Sequence, residues 1–153
     1  MKAEILRDFF EGRVQARALD ADLRGAFKQS TLDSFQLQMT DLDRDFVVRP
    51  EHLIKLCDAV LESHLDPEAL RAVGFGIIAS DHFDWDTDAP YGAVVADTLY
   101  DWASPEANYP LSTSNVAKFR HRLVTGEDTF TRADAMRGLK RRRDGWSSGA
   151  PPA

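Results

Sequence analysis

The chain has 153 residues, of which 43% are hydrophobic and 29% charged, and it carries a formal net charge of −6. This length suits one domain with a substantial core, and the composition excludes fibrous and disordered classes. Its apolar runs are far shorter than the roughly 20 residues that cross a bilayer, which argues against a membrane-spanning protein.

The N-terminus and the cysteine content indicate the same compartment. The opening MKAEILRDFF lacks the apolar segment of a signal peptide. The single Cys57 cannot form an internal disulfide, and its position beside Val60 and Leu61 on an apolar helical face predicts a buried structural thiol. We therefore expect a cytoplasmic protein.

Charge is unevenly distributed along the chain. Residues 132–144 contain six basic and two acidic side chains, a net charge of +4, which leaves −10 for the remainder. An acidic body repels nucleic-acid phosphate and anionic membranes and suits a basic partner, although solubility is an equally physical reason for the charge. We predict neither nucleic-acid nor membrane binding.

The first half of the chain predicts helices. Residues 3–11 and 14–28 carry apolar stripes around Gly12, which suits a left-handed helix end, so the two should form an antiparallel hairpin. Residues 30–49 keep helical spacing, but Phe35, Leu37 and Met39 also alternate as a strand would. An S-x-x-D capping sequence at residue 30 favours a helix to about residue 39.

The next two helices have clear starting signals. Pro50 suits the first turn of a helix over residues 50–64, and the Asp66-Pro67-Glu68 sequence restarts a helix with Asp66 as its N-cap. Gly74 lies on the apolar face of that second helix. Because glycine weakens a helix, we expect Gly74 to permit the close approach of a neighbouring helix.

The second half predicts three more helices. Residues 91–102 have the clearest helical periodicity, with Asp97 and Asp101 on the polar face. Ser112 or Thr113 can cap a helix that Gly126 ends. Residues 131–143 predict a last helix with a basic end, and residues 144–153 have the composition of a disordered tail. The expected fold is all-α: one compact bundle of about six to eight short helices over residues 1–143.

Two acidic runs copy the start of a calcium-binding loop. In the run at Asp84, Asp86 and Asp88, Ala89 replaces the turn glycine and Val95 replaces the bidentate glutamate. The run at Asp41, Asp43 and Asp45 fails at the same two positions. A solvated acidic turn is therefore favoured over a cation site in both runs.

His82 lies among these aspartates, so it could be a general base oriented by a carboxylate, or a metal ligand. Asp81, Asp84, Asp86 and Asp88 would supply hard oxygen ligands. No second histidine is near, and no zinc-type spacing occurs. A metal-binding protein or metal-assisted hydrolase is thus an alternative, but we assign no catalytic residue, metal ligand or cofactor.

Carboxylates and aromatic residues crowd the central stretch, residues 73–110. Aromatic rings with a charged rim are typical of protein-binding surfaces, because the rings supply affinity while the charges steer a partner. Equally, Phe83, Trp85 and Trp102 could complete the core beneath a solvated rim. We expect the loops at residues 81–90 and 103–110 to form any site. The predicted partner-binding residues are Asp81, Asp84, Trp85, Asp86, Asp88, Asp97, Asp101, Glu106 and Tyr109.

The opening LRDFFEGRVQARALDADLRGAF, residues 6–27, resembles the start of colicin D type bacterial immunity proteins. In that family a short apolar helix ends at a small-residue turn and leads into a helix that ends in an aromatic. Members are small acidic helical bundles that bind the cationic catalytic domain of a nuclease toxin and block its active site, and the resemblance implies that role. This chain is longer and contains the segment DWASPEANYP, so no binding residue is carried over.

The leading hypothesis is a non-enzymatic, cytoplasmic binding module that receives a basic protein, with a toxin domain as the partner that the resemblance implies. The metal hypothesis at His82 is one alternative. A structural or homo-oligomeric helical module without catalysis is the other.

Overall fold

The computed structural model describes residues 1–24, 26–31 and 34–135, and the structural statements below refer to these residues. They are mostly helical, and the helices are α1 (Ala3–Phe10), α2 (Ala16–Leu23), α3 (Pro50–Leu61), α4 (Ala69–Ala79), α5 (Gly92–Ala103) and α6 (Thr113–Thr125), with a further helical turn at residues 132–135. Four short strands are β1 (Phe27–Thr31), β2 (Ser34–Leu37), β3 (Phe46–Val47) and β4 (Phe83–Asp84). The predicted helical bundle is confirmed in outline, whereas the strict all-α prediction is corrected by two small sheets.

Buried apolar side chains from each of the helices α1 to α6 form one continuous cluster. The helix α4 packs along α5, and α3 packs along α6. The largest fully buried side chains include Trp102 and Phe119, whose rings meet edge to face at 6.1 Å. None of the described helices is long and apolar enough to cross a membrane. The predicted basic helix end and the tail at residues 144–153 lie outside the described residues, although residues 132–135 are helical.

The predicted end of α1 is confirmed. Glu11 closes the helix and Gly12 follows with φ +79°, a left-handed conformation that favours glycine. The next helix is shorter than predicted: α2 ends at Leu23, and residues 27–31 belong to β1. The predicted helix over residues 14–28 is therefore wrong in its last third.

The predicted helix over residues 30–39 is wrong, because this segment pairs as a β-hairpin. Phe27 is opposite Leu37 in the antiparallel register of β1 and β2. At the end of the hairpin, Leu37 and Met39 are partly buried against the core while Gln38 between them is exposed. This period-two burial is what a strand provides and a helix does not. The proposed capping role of Ser30 is wrong too, since Ser30 lies in β1 and not at the start of a helix.

Three other local predictions are confirmed. A Cβ on Gly74 would lie 2.8 Å from the carbonyl oxygen of Leu99, so α4 and α5 touch through this glycine. Ser112 caps α6 by accepting a hydrogen bond from the backbone N–H of Asn115 at 3.2 Å. Gly126 ends α6 with φ +80°. By contrast, the predicted N-cap at Asp66 is wrong, because α4 begins at Ala69 with Glu68 as its N-cap. Asp66 lies in the preceding turn, where its carboxylate accepts a hydrogen bond from the Glu68 N–H.

Candidate functional site

The two acidic runs lie side by side, held by the parallel pairing of β3 and β4. The Phe46 N–H donates to the carbonyl oxygen of His82, and the Val48 N–H donates to that of Asp84. These bonds join the segment before α3 to the loop after α4. Two runs that the sequence treats as independent turns are therefore neighbours in the fold.

Asp41 organises the start of the loop after α4. Its carboxylate accepts from the Ser80 hydroxyl and from the backbone N–H groups of Asp81 and Leu42. Burial alone would raise the pKa of Asp41, but these hydrogen bonds together hold it below its ordinary value. The Ser80 hydroxyl oxygen in turn accepts from the N–H groups of His82 and Phe83. Asp41 therefore serves the structure of the loop.

His82 is paired with a carboxylate that the sequence did not associate with it. Its Nδ1 lies 3.0 Å from the Asp45 carboxylate, and this hydrogen bond raises the pKa of His82 above its ordinary value. Among the described residues, no three His, Cys, Asp or Glu side chains form a group that could hold a metal ion. The geometry therefore lends the metal hypothesis no support.

Five carboxylates, four in the loop after α4 and one on the exposed side of α5, make up what we call the acidic strip. All five are exposed, and none forms an ion pair with a described residue. Two of them shape the loop locally, since Asp84 accepts from the Trp85 N–H and Asp86 from the Asp88 N–H. The strip consists of Asp81, Asp84, Asp86, Asp88 and Asp97.

The aromatic residues of the central stretch mostly serve the core. Phe83 and Trp102 are buried, and Trp85 and Tyr109 are partly buried against the core cluster. The indole N–H groups of Trp85 and Trp102 are buried and have no hydrogen-bond partner among the described residues. The core interpretation is thus confirmed for Phe83 and Trp102, and Trp85 leans on the same cluster.

The loops at residues 81–90 and 103–110 flank the two ends of α5, whose 12 residues extend about 18 Å at 1.5 Å per residue. Glu106 in the second loop pairs with Arg71 of α4 at 3.3 Å. The predicted residues that do come together are Asp97, Asp101 and Tyr109.

These three residues line an open depression of about 400 Å³, which we call the α5 concavity. Its walls come from α5, the loop before α6, α6 itself and the last described residue. Among the described residues, the lining consists of Asp97, Tyr100, Asp101, Ala107, Asn108, Tyr109, Arg122 and Ala135.

Arg122 is the buried cation of this concavity. Its side chain is 7% exposed and donates to the Asp101 carboxylate at 2.8 Å and to the buried Thr98 hydroxyl at 3.1 Å. Its guanidinium also lies over the rings of Phe119 and Phe130, at 5.4 and 5.5 Å. A carboxylate on one side and aromatic faces on another thus hold a guanidinium within the protein.

The electrostatics of the concavity remain acidic despite this cation. Burial raises the pKa of Asp101 above its ordinary value, although the hydrogen bond from Arg122 opposes the shift. Burial also raises the pKa of Tyr109, with Asp128 and Asp101 adding to the effect. Tyr109 stacks on Phe130 with ring centroids 4.0 Å apart, which fixes this wall.

Sequence reasoning missed Tyr100 and Arg122. Tyr100 is 55% exposed and has the most exposed large ring among the described residues. A signal was present, because Tyr100 falls between Asp97 and Asp101 on the polar face of its helix. The signal that Arg122 is buried was weaker, because an arginine usually extends into solvent even when it lies three residues after an apolar side chain such as Phe119.

The remaining candidate residues have structural roles. Cys57 is buried as predicted, and burial raises the pKa of its thiol to about 12. His52 lies at the start of α3, in contact with the rings of Phe10 and Phe46, whereas His64 and His121 are exposed.

The chain was compared with protein-family models, curated proteins and solved structures, and no match was found in any of the three.

Proposed function

We propose that the protein is a non-enzymatic binding module that receives a basic protein partner on the acidic strip and the adjoining α5 concavity. The observation that carries this proposal is that none of the five exposed carboxylates of the strip forms an ion pair with a described residue. Elsewhere carboxylates are commonly paired, as Asp20 is with Arg24 and Asp58 with Arg120.

Unpaired carboxylates on one surface repel one another and so contribute nothing to stability through ion pairing. Their physical use is to steer and orient a positively charged surface, which raises the association rate and excludes acidic partners. The loop that bears four of them is fixed by hydrogen bonds to Asp41, so the surface is formed before a partner arrives.

The test is a triple variant, Asp84→Asn, Asp86→Asn and Asp88→Asn. Asparagine keeps the side-chain oxygen that accepts the loop hydrogen bonds, so the fold should persist. A partner captured from cells of the source organism, then purified, is expected to bind the variant at least about tenfold more weakly. Affinity should be measured by calorimetry at low and at physiological salt.

The matched control carries the same change of net charge elsewhere, through Glu4→Gln, Glu51→Gln and Glu62→Gln, all on exposed positions of other elements. We expect it to bind like the unmodified protein. Equal weakening of both variants would mean that only net charge matters, and the proposal of a defined surface would fail.

The resemblance to immunity proteins suggests the narrower proposal that the partner is the catalytic domain of a nuclease toxin in the cytoplasm. That proposal is supported by the acidic body and by the α1–Gly12–α2 hairpin over the resembling residues. Inhibition of a neighbouring toxin gene's product by the purified protein would test it directly. A toxin that remains fully active with a stoichiometric excess of the protein would contradict it.

A further inference from the structure

We propose that the α5 concavity binds an arginine side chain of the partner and selects it over lysine. This inference rests on the proposed function and names the group that is recognised. It concerns Asp97 and Tyr100, whereas the test of the proposed function changes only carboxylates of the loop after α4.

Two side chains of the concavity are free to receive a ligand. Asp97 and Tyr100 are three residues apart on α5, so their side chains are neighbours on one face. Both are exposed, and within the described part of the chain neither has a hydrogen-bond, ion-pair or ring partner. A carboxylate therefore stands beside an open aromatic face.

The concavity already holds one arginine by this chemistry. Arg122 donates to Asp101 while its guanidinium lies over the rings of Phe119 and Phe130. Because Arg122 neutralises Asp101, the carboxylate left for an incoming cation is Asp97. The Arg122 guanidinium thus shows that a carboxylate and aromatic rings together hold a guanidinium in this concavity.

Arginine fits such a pair better than lysine for a geometric reason. A planar guanidinium can donate two parallel N–H bonds to a carboxylate and lie flat on a tyrosine ring at the same time. A lysine ammonium is a compact, strongly hydrated charge that cannot make both contacts in this way. A concavity of about 400 Å³ has ample room for the end of one arginine side chain.

The test compares two synthetic peptides of equal length and charge, one with arginine and one with lysine at every basic position. Calorimetry with the full chain should show the arginine peptide binding about tenfold more tightly, the gain expected from a ring contact and a bidentate bond. Asp97→Asn and Tyr100→Ala should each abolish this preference. Tyr100→Phe keeps the ring and should retain it, and Asp43→Asn, an exposed aspartate on another segment, should change nothing.

Several results would overturn the inference. If both peptides bind equally, the arginine site is contradicted. If the loop triple variant still loses its partner in that case, the proposed function is unaffected. An arginine preference that survives both Asp97→Asn and Tyr100→Ala would place the site elsewhere. If the arginine peptide binds only after Arg137, Arg141, Arg142 and Arg143 are changed to Gln, the occupant is the chain's own basic run and not a partner.

Discussion

His52 is a histidine whose protonation the fold opposes. Its Nδ1 accepts a hydrogen bond from the Arg49 N–H at 2.9 Å, and burial lowers its pKa below the ordinary 6.5. The unfolded chain therefore binds this proton more readily than the folded protein. The free energy of unfolding should accordingly fall as the pH drops below about 6.5, and level off below the folded pKa.

We expect His52→Gln to remove this part of the pH dependence between about pH 8 and about pH 5. Urea unfolding at several pH values measures how the free energy of unfolding changes with pH. This slope is compared, and not the absolute stability, because the substitution also loses ring contacts. His64→Gln, at an exposed position, serves as control and should keep the original slope. The same slope in both variants would show that His52 is not responsible.

His82 acts in the opposite direction. The hydrogen bond to Asp45 raises its pKa, so its stabilising effect is complete below pH 6.5 and is lost as the pH rises through the folded value. Asp45→Asn should lower the midpoint of the His82 imidazole titration followed by nuclear magnetic resonance. A midpoint that does not move would contradict the Asp45 contact.

The site residues show what a sequence reveals at this scale. Asp97 and Asp101 were predicted correctly as polar-face positions, since spacing along one helix is a local property. The pairing of Arg122 with Asp101 joins residues 21 positions apart, and no local pattern encodes it. The same holds for His82 and Asp45, which meet only because β3 pairs with β4.

At the scale of elements, the contact between α4 and α5 depends on a glycine. A Cβ at position 74 would lie 2.8 Å from the Leu99 carbonyl oxygen and 2.9 Å from the Ala103 nitrogen, both backbone atoms that cannot move alone. We expect Gly74→Ala to lower the free energy of unfolding by about 1–3 kcal/mol, despite the better helix propensity of alanine. Urea unfolding would measure this.

Gly76 on the same helix provides a matched control. A Cβ there would lie 3.0 Å from the end of the Met1 side chain and 3.3 Å from the Met39 sulfur, which are flexible. Gly76→Ala should therefore change stability by less than about 1 kcal/mol. If both substitutions cost the same, close helix approach is not the reason for Gly74.

Arg122 links α5 to α6, and its removal tests that link. Arg122→Met keeps much of the apolar contact but leaves the half-buried Asp101 carboxylate without its donor, so we expect a loss of about 2–4 kcal/mol near pH 7. Because the hydrogen bond and charge of Arg122 that oppose the effect of burial are then lost, the pKa of Asp101 rises further, and the loss of stability should shrink as the pH falls and the carboxyl becomes neutral. Adding Asp101→Asn should recover part of the stability at pH 7, and no recovery would contradict the pairing.

The elements also mark the limit of sequence reasoning. Helices with strong 3-4 periodicity and a capping signal, such as α5 and α6, lie close to their predicted bounds. Residues 27–31 and 34–37 form paired strands because this pairing satisfies their backbone groups, although helical and alternating patterns fit the sequence equally well. Such ambiguity is resolved by tertiary contacts and not by local spacing.

At the scale of the whole molecule, we expect the acidic strip to favour partner binding and to lower the stability of the fold. Neighbouring carboxylates without cationic partners repel one another, and a surface kept for a partner is rarely the most stable one. We therefore expect the loop triple variant, Asp84→Asn, Asp86→Asn and Asp88→Asn, to be more stable than the unmodified protein at low salt by about 0.5–1 kcal/mol. It should lose its partner while gaining stability.

Salt provides the check on this expectation. At about 1 M salt the screening length falls to about 3 Å, so the stability difference between the triple variant and the unmodified protein should vanish in urea unfolding experiments. The control triple at Glu4, Glu51 and Glu62 changes dispersed carboxylates and should gain little at any salt concentration. A triple variant that is less stable at low salt would mean that these aspartates stabilise the start of α5 through its dipole. The acidic strip would then be explained by helix stability and not by partner binding.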